Sequence, residues 1–361
     1  MTDYLWKQIL TKDMLSRIIE NYATLVEEKD EETGKTRYKQ IFPRYHQLTA
    51  VESLLADVKK NGVGNRYLIQ HSAGSGKSNS IAWLAHQLTG LEDAQGNLLV
   101  DSVIVVTDRV VLDKQIRDTI RQFAQTRNII AWAEHSGDLR KAIEDGRRII
   151  ITTIEKFPYV LLEIGEDHKD RHFAIIIDEA HPSQNGKTAG TMNMTLSAIM
   201  SDPDMDNEDK INAMCEGKKL LTNASYFAFT ATPKNKTLET FGTAYEDAGV
   251  IKHRPFHVYT MKQAIQEGFI LDVLKYYTPI DSYYRLKKTV EDDPMFDKKK
   301  AQKKLRAFVE NQTFTIAQKA DMMVSHFHEQ VIAKGKIGGQ ARAMIITSSI
   351  ERCIEYYHAV N

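Results

Sequence analysis

Cysteine is nearly absent from this sequence and neither sign of charge is in excess, and both shortages narrow what the chain can be. Cys215 and Cys353 are the only two cysteines in 361 residues, far apart and without CxxC spacing, which argues against a disulfide framework and against a zinc site. Two isolated thiols fit a reducing compartment best. No run reaches the roughly 18 uninterrupted apolar residues of a membrane span, and the opening MTDYLWKQIL lacks the basic and apolar regions of a signal peptide. The expectation is a soluble, cytoplasmic protein with no membrane partner. The 48 basic and 48 acidic side chains cancel, so no global field announces nucleic acid. That balance does not exclude it, because a protein can grip a few phosphates with local donors. The length favours two domains, or one and part of another, and 42% hydrophobic residues is ordinary for a globular protein.

What is present is a change of texture along the chain. Leu5, Ile9, Leu10, Leu15, Ile18, Ile19, Tyr22 and Leu25 recur at helical spacing, which predicts a helix over residues 3–28. The charged run EEKDEETGKTR then reads as a solvated loop, so residues 1–39 form an N-terminal helical linker. From Tyr67 onward short apolar runs alternate with helical stretches: YLI at 67–69, VIVV at 103–106, RIIIT at 148–152, FAIII at 173–177 and YFAF at 226–229. Runs of this length between helices mark strands buried on both faces of a parallel sheet. The fold class is therefore α/β, doubly wound, over residues 40–280. SDPDMDNEDK at 201–210 reads as an exposed loop. Across 281–340 no buried strand appears, while Leu305, Phe308, Val309, Ala317, Ala320, Met323, Val324 and Phe327 keep helical spacing, which predicts a helical connector. ARAMIITSS at 341–349 then reads as a new buried strand leading into a helix.

Two motifs carry chemistry. YLIQHSAGSGKSNSIAWLAHQL sets strand, Gly-rich turn and helix in the order a phosphate-binding loop needs. Gly74 and Gly76 let backbone amides turn inward where a Cβ would obstruct, and the helix N-terminus adds donors and positive dipole. His71, Ser72, Ala73 and Ser75 complete the loop, with His71 where the pattern GxxxxGK(S/T) has its first Gly. Lys77 is placed to neutralise phosphate oxygens and Ser78 to ligate magnesium through its hydroxyl. The second motif, FAIIIDEAH, ends a buried strand with Asp178 and Glu179 at the carboxyl edge, where open α/β sheets bind ligands. Asp178 suits a direct or indirect hold on Mg2+, and Glu179 the positioning and deprotonation of an attacking water. PRYHQ upstream offers Gln47, whose amide can donate to and accept from an adenine edge, with Arg44 nearby. YFAFTATP downstream puts Thr230 and Thr232 at another strand end.

The order Gln47, GSGKS, VVTDR, ITT, DEAH, TAT, ITSS resembles the superfamily 2 helicases and translocases. RYHQ, HSAGSGKS, VVTDRVVLDKQ at 105–115, TTIEKF at 152–157 and DEAHPSQNGK followed by FTATPK resemble more closely the motor of the restriction subunit of type I restriction-modification enzymes. The likeness spans roughly 40–280 and resumes at 341, and Pro182 stands where that family commonly carries Arg. It implies a RecA-like ATPase domain using ATP and Mg2+, with 341–361 the beginning of a second RecA-like domain. It implies that Gln47 recognises adenine, that His181, Thr230 and Thr232 couple the nucleotide site to the track, and that Thr107, Arg109 and Thr153 meet the DNA backbone. Double-stranded DNA and the modification and specificity subunits are the implied partners.

A restriction subunit of that kind also carries a nuclease domain ahead of the motor, and only 76 residues precede Lys77, too few for it. The second RecA-like domain stops after one strand and one helix, without the arginine it would place against the γ-phosphate. The expectation is a fragment of a larger subunit. His168 and His172 have helical spacing but no third metal ligand, and DKKKAQKKLR at 297–306 reads as a solvated helix face or a phosphate contact. Another superfamily 2 helicase, or a nucleotide-binding module without turnover, are the alternatives. The intact trio Lys77, Asp178 and Glu179 speaks against the module.

Overall fold

The computed structural model of the chain describes residues 3–29, 36–107, 119–120, 130–133, 136–166, 168–178, 221–272, 313–335 and 341–360. Arg109, Glu179, His181, Pro182, Cys215, the 201–210 loop, the basic run 297–306 and the connector's 281–312 and 336–340 lie outside them. The chain divides into two compact units, Met1–Val273 and Leu274–Asn361.

The N-terminal segment departs from the expected single helix. A π-helical turn, Leu5–Ile9, precedes α1 (Lys12–Asn21), which is capped by the Thr11 hydroxyl accepting from the Met14 amide at 3.4 Å. The chain then turns into an antiparallel hairpin, β1 (Thr24–Lys29) with β2 (Thr36–Ile41), where Thr24 faces Ile41. The helical stripe fails at its last member: Leu25 is 61% exposed while its neighbour Val26 is buried, a period of two and not of 3.6. Tyr22, at the junction, is fully buried against Trp83 with ring centroids 5.5 Å apart, and the Trp83 indole N–H donates to the Tyr22 carbonyl at 3.0 Å. That contact pins the N-terminal segment to the α/β domain.

After α2 (Tyr45–Asn61) come β3 (Arg66–His71) and α3 (Lys77–Leu88), then β4 (Ser102–Thr107), β5 (Ile130–Trp132), β6 (Ile149–Thr153), β7 (Phe173–Asp178) and β8 (Ala224–Thr230). An exposed hairpin, β9 (Thr243–Asp247) with β10 (Val250–Arg254), leads to β11 (His257–Tyr259). Seven strands form one sheet in the order β11-β3-β8-β7-β4-β6-β5, and every pairing in it is parallel. The five apolar runs of the sequence are its five inner strands. The edges, β5 and β11, are three residues long, too short to show a periodicity.

Burial explains why the inner strands read as unbroken apolar runs. Tyr67, Ile69, Val103, Val105, Ile149, Ile151, Ala174, Ile176, Phe227 and Phe229 enter one core with α2 and α3. Their alternates, among them Leu68, Ile104, Val106, Ile150, Ile175, Ile177 and Tyr226, enter a second core with the helices Ser136–Glu144, Phe157–Glu166 and Asn235–Phe241. Side chains alternate across a strand, so a strand sandwiched between two helical layers is apolar on both of its faces over most of its length. All of its polar endings are consequently pushed to the edges of the sheet.

In the second unit the helices Thr313–Phe327 and Ile350–Val360 pack against one another. The expected strand before the latter is not formed: residues 341–347 have no regular structure, and Met344 and Ile346 are 82% and 83% exposed. A parallel strand is made by its ladder partners, and among the described residues of this unit no other strand is present.

Trp83→Phe removes the only indole N–H on the Tyr22 carbonyl and leaves a gap. It is expected to cost roughly 2 kcal/mol in urea unfolding, and an unchanged midpoint would show that the pin between α1 and α3 carries no stability.

Candidate nucleotide site

The phosphate loop leaves β3 at His71 and enters α3 at Lys77. Gly74 and Gly76 have φ of +74° and +82°, the left-handed region that side-chained residues avoid. At Gly76 a Cβ would also lie 2.5 Å from Gln47 Nε2, so any larger residue would push the Gln47 amide aside. Ser72 donates its amide to the Tyr259 carbonyl at 3.0 Å, and Ser75 donates its own to the Ser72 carbonyl at 3.2 Å. The Ser72 and Ser75 hydroxyls are buried and, among the described residues, have no hydrogen-bond partner. Ala73 and Gly74 are exposed, Ser78 is half-buried, and Lys77 is 8% exposed as the first residue of α3. Two buried hydroxyls awaiting partners beside a helix N-terminus fit a polyphosphate.

His71 takes a different part from the one expected. It is fully buried, and its Nε2 is 2.9 Å from Nδ1 of His257 on β11. As the last residue of β3 it follows Tyr67 and Ile69 onto the face covered by α2, so its side chain joins two strands. Gln47, expected at an adenine edge, is only 3% exposed. Its Oε1 accepts the Arg44 amide at 2.9 Å, and its Nε2 donates to the Gly76 carbonyl at 2.9 Å and, at 3.4 Å, to that of Ser75. One lone pair of Oε1 is left for a ligand. Arg44 lies over the Phe269 ring at 4.0 Å.

The remaining groups sit along the same edge. β8 separates β3 from β7, so the loop and Asp178 are two strands apart, roughly 10 Å at ordinary strand spacing. Asp178 ends β7 opposite Phe229, with 6% exposure. Thr230 ends β8 opposite Gln70, and its buried hydroxyl has no hydrogen-bond partner among the described residues. Thr232 is exposed just beyond it. Thr107 and Thr153 are direct register partners on β4 and β6. Thr107 is covered, at 1% exposure, and Thr153 accepts the Lys156 ammonium at 3.2 Å. Lys156, which the strand-end reading missed, follows Thr153 by one helical turn in TTIEKF.

A second group was invisible in the sequence because its members are scattered over more than two hundred positions. The His46 ring stacks on Tyr259, 3.7 Å between centroids and 6° from parallel. The Tyr259 and Tyr45 hydroxyls donate to the two oxygens of Glu267 at 2.7 and 2.8 Å, and Gln263 donates to Tyr45. Burial alone raises the Glu267 carboxyl, but the donors Tyr259, Tyr45 and Gln263 outweigh it and hold the group below the usual carboxylate range.

The sequence pattern of the SWI2/SNF2 ATPase matches residues 46–307. The chain belongs to the SWI2/SNF2 ATPase family. A type I restriction enzyme endonuclease subunit of Staphylococcus aureus strain MSSA476 is 27% identical over 235 residues, 63% of this chain and 21% of that one. The C-terminal part of such a subunit from Mycoplasma pneumoniae is 31% identical over 159 residues, 40% of this chain and 73% of its own length. The chain thus spans about a fifth of the length of the Staphylococcus relative. Among solved structures, the Type ISP restriction-modification enzyme LlaBIII bound to DNA overlaps 72% of this chain and 18% of its own at 14% identity and a TM-score of 0.41. This SWI2/SNF2 ATPase is related in sequence to type I restriction enzyme endonuclease subunits, and its family implies use of ATP. Among the described residues no helix is long and apolar enough to cross a membrane.

Burial and the facing histidines push His71 down, and burial pushes His257 down to about 4. Both rings charge below about 6.5 when unfolded, so the unfolded chain binds more protons and stability falls as the pH drops from about 6.5 towards 4. Between pH 7.5 and 5.5 the melting temperature is expected to decrease. His257→Asn should reduce that decrease, and equal slopes in parent and variant would discharge the pair as its source.

Proposed function

We propose that residues 40–280 are the first RecA-like ATPase domain of a motor that translocates double-stranded DNA within a type I restriction endonuclease subunit. In this reading 1–39 is an N-terminal linker, 281–340 a connector and 341–361 the start of the second RecA-like domain. The observation that carries it is the loop at the N-terminus of α3 and the Asp178 carboxylate on one edge of a parallel sheet, with Thr230 between them. A loop alone binds phosphate; a carboxylate set two strands away adds a hold on a cation beside it.

The chain's own residues then divide the work. The amides of the loop and the Lys77 ammonium bind the β- and γ-phosphates of ATP, and Gln47 and Arg44 stand on the side where the base enters. Ser78 and Asp178 would hold Mg2+, which when bound neutralises phosphate charge. Glu179 accepts the proton of the attacking water. Thr230, with Thr232 and His181, links this edge to the track, and Thr107, Arg109 and Thr153 meet DNA phosphates, which position without reading sequence. Sequence recognition then belongs to the specificity subunit, and the modification subunit completes the assembly. Dependence of ATPase activity on double-stranded DNA in the full-length subunit separates this motor from an RNA helicase.

Lys77→Ala is expected to abolish magnesium-ATP binding in calorimetry while the circular dichroism spectrum is unchanged, and equal affinity would sink the loop assignment. Glu179→Gln in the full-length subunit is expected to bind ATP as the parent does and to lose turnover by a hundredfold or more, about the worth of a positioned general base. Turnover within tenfold of the parent would remove Glu179 from that role.

A further inference from the structure

Two carbonyls of the phosphate loop are held from outside it. The Gly76 carbonyl is built into α3, accepting the Asn79 amide at 3.1 Å as well as Gln47 at 2.9 Å. The Ser75 carbonyl has no such support: among the described residues no backbone amide reaches it, and its nearest donor is His46 Nε2 at 3.0 Å, with Gln47 Nε2 at 3.4 Å. A carbonyl only accepts, so His46 Nε2 carries the hydrogen. Its Nδ1 is buried and has no partner among the described residues, a place where a second proton is unfavourable. The ring cannot swing away, because it lies flat on Tyr259 with the edges of Tyr45 and His71 against it at 5.6 and 5.5 Å. Tyr259 and Tyr45 are tied in turn to Glu267.

A peptide unit is planar and trans, so its C=O and N–H point in opposite directions. Fixing the Ser75 oxygen towards α2 turns the Gly76 amide the other way, away from α2. Gly76 itself, at φ +82°, offers no side chain to restrict that peptide, so the restraint must come from elsewhere. We propose that His46, in its Nε2-protonated neutral form, is a positioning residue that aims the Gly76 amide at bound phosphate by holding the Ser75 carbonyl. The role rests on the phosphate-loop reading above. Segment 257–267 belongs to the same device: β11 and the helix Met261–Gln266 bring Tyr259 and Glu267 to brace the ring. Preset donors bind an anion without the ordering cost that a floppy loop meets.

The test compares the affinities of parent, His46→Phe, His46→Gln and Lys77→Ala for inorganic pyrophosphate and for ADP by calorimetry, with a thermal melt of each. Phe keeps the ring on Tyr259 and loses only the donor; Gln restores an N–H donor of similar reach. His46→Phe is expected to bind both ligands about tenfold more weakly, with a melting temperature near the parent's and His46→Gln within threefold of it. A merely structural role would lower the melting temperature and leave affinity below it unchanged. If His46→Phe binds as the parent does while Lys77→Ala does not, the positioning role is wrong and the phosphate loop stands; if Lys77→Ala also binds normally, the loop reading itself fails. Should His46→Phe not fold, the unsubstituted protein decides. Its His46 imidazole is expected at pH 7.5 as the Nε2–H tautomer in 1H–15N correlation spectra, and an Nδ1–H tautomer or an imidazolium overturns the proposal.

Discussion

Every group at the candidate site depends on the parallel pairing of β3, β8, β7, β4 and β6. Parallel strands buried on both faces are mostly apolar along their length; Thr107, Thr153, Asp178 and Thr230 stand where their strands end, and parallel direction brings those ends to one edge. An antiparallel neighbour would have sent its ending to the opposite side. The register does the fine placement: Gln70 faces Thr230 and Thr107 faces Thr153. The helix N-terminus that follows β3 then finds the acidic strand end two strands away by construction of the sheet.

The loop itself is less self-sufficient than its glycines imply. Gly74 and Gly76 allow the turn, but freedom to adopt a conformation is not the same as being held in one. The holding comes from α2, through Gln47 and His46, and from the edge strand beside β3, where Tyr259 offers its carbonyl to Ser72 and its ring to His46. Residues 44–47, 71–77 and 257–270 thus form one nest around the loop. The close approach at Gly76, where a Cβ would meet Gln47, is the steric counterpart of that nest: the glycine is needed for its φ and for the neighbour that braces it.

Burial redistributes the roles that residue type alone suggests. His71 stands in a ligand motif yet ends in a pair with His257, because its strand position faces α2. Gln47 has amide chemistry suited to adenine, and most of that chemistry is engaged in bracing the loop. Thr107 is a strand-end hydroxyl but is covered, whereas Lys156, unremarkable in the sequence, comes to rest on Thr153. In each case the side chain's direction, set by strand alternation or helix phase, decides its role.

The α/β class, the five inner strands and the strand–turn–helix order around GSGKS are legible in the residues alone, since they are written in runs and spacings a few residues long. Continuous apolar stretches follow from two-sided burial, and GSGKS follows from what a backbone cradle requires. The edge strands β5 and β11, the hairpin over 24–41 and the absence of a strand at 341–347 emerge only in the folded chain. Each depends on whether a partner strand is available, and a partner is not a local property. The same holds for the brace behind the loop: His46, Tyr259 and Glu267 are separated by up to 221 positions and meet only because β11 pairs with β3 across a long excursion of the chain.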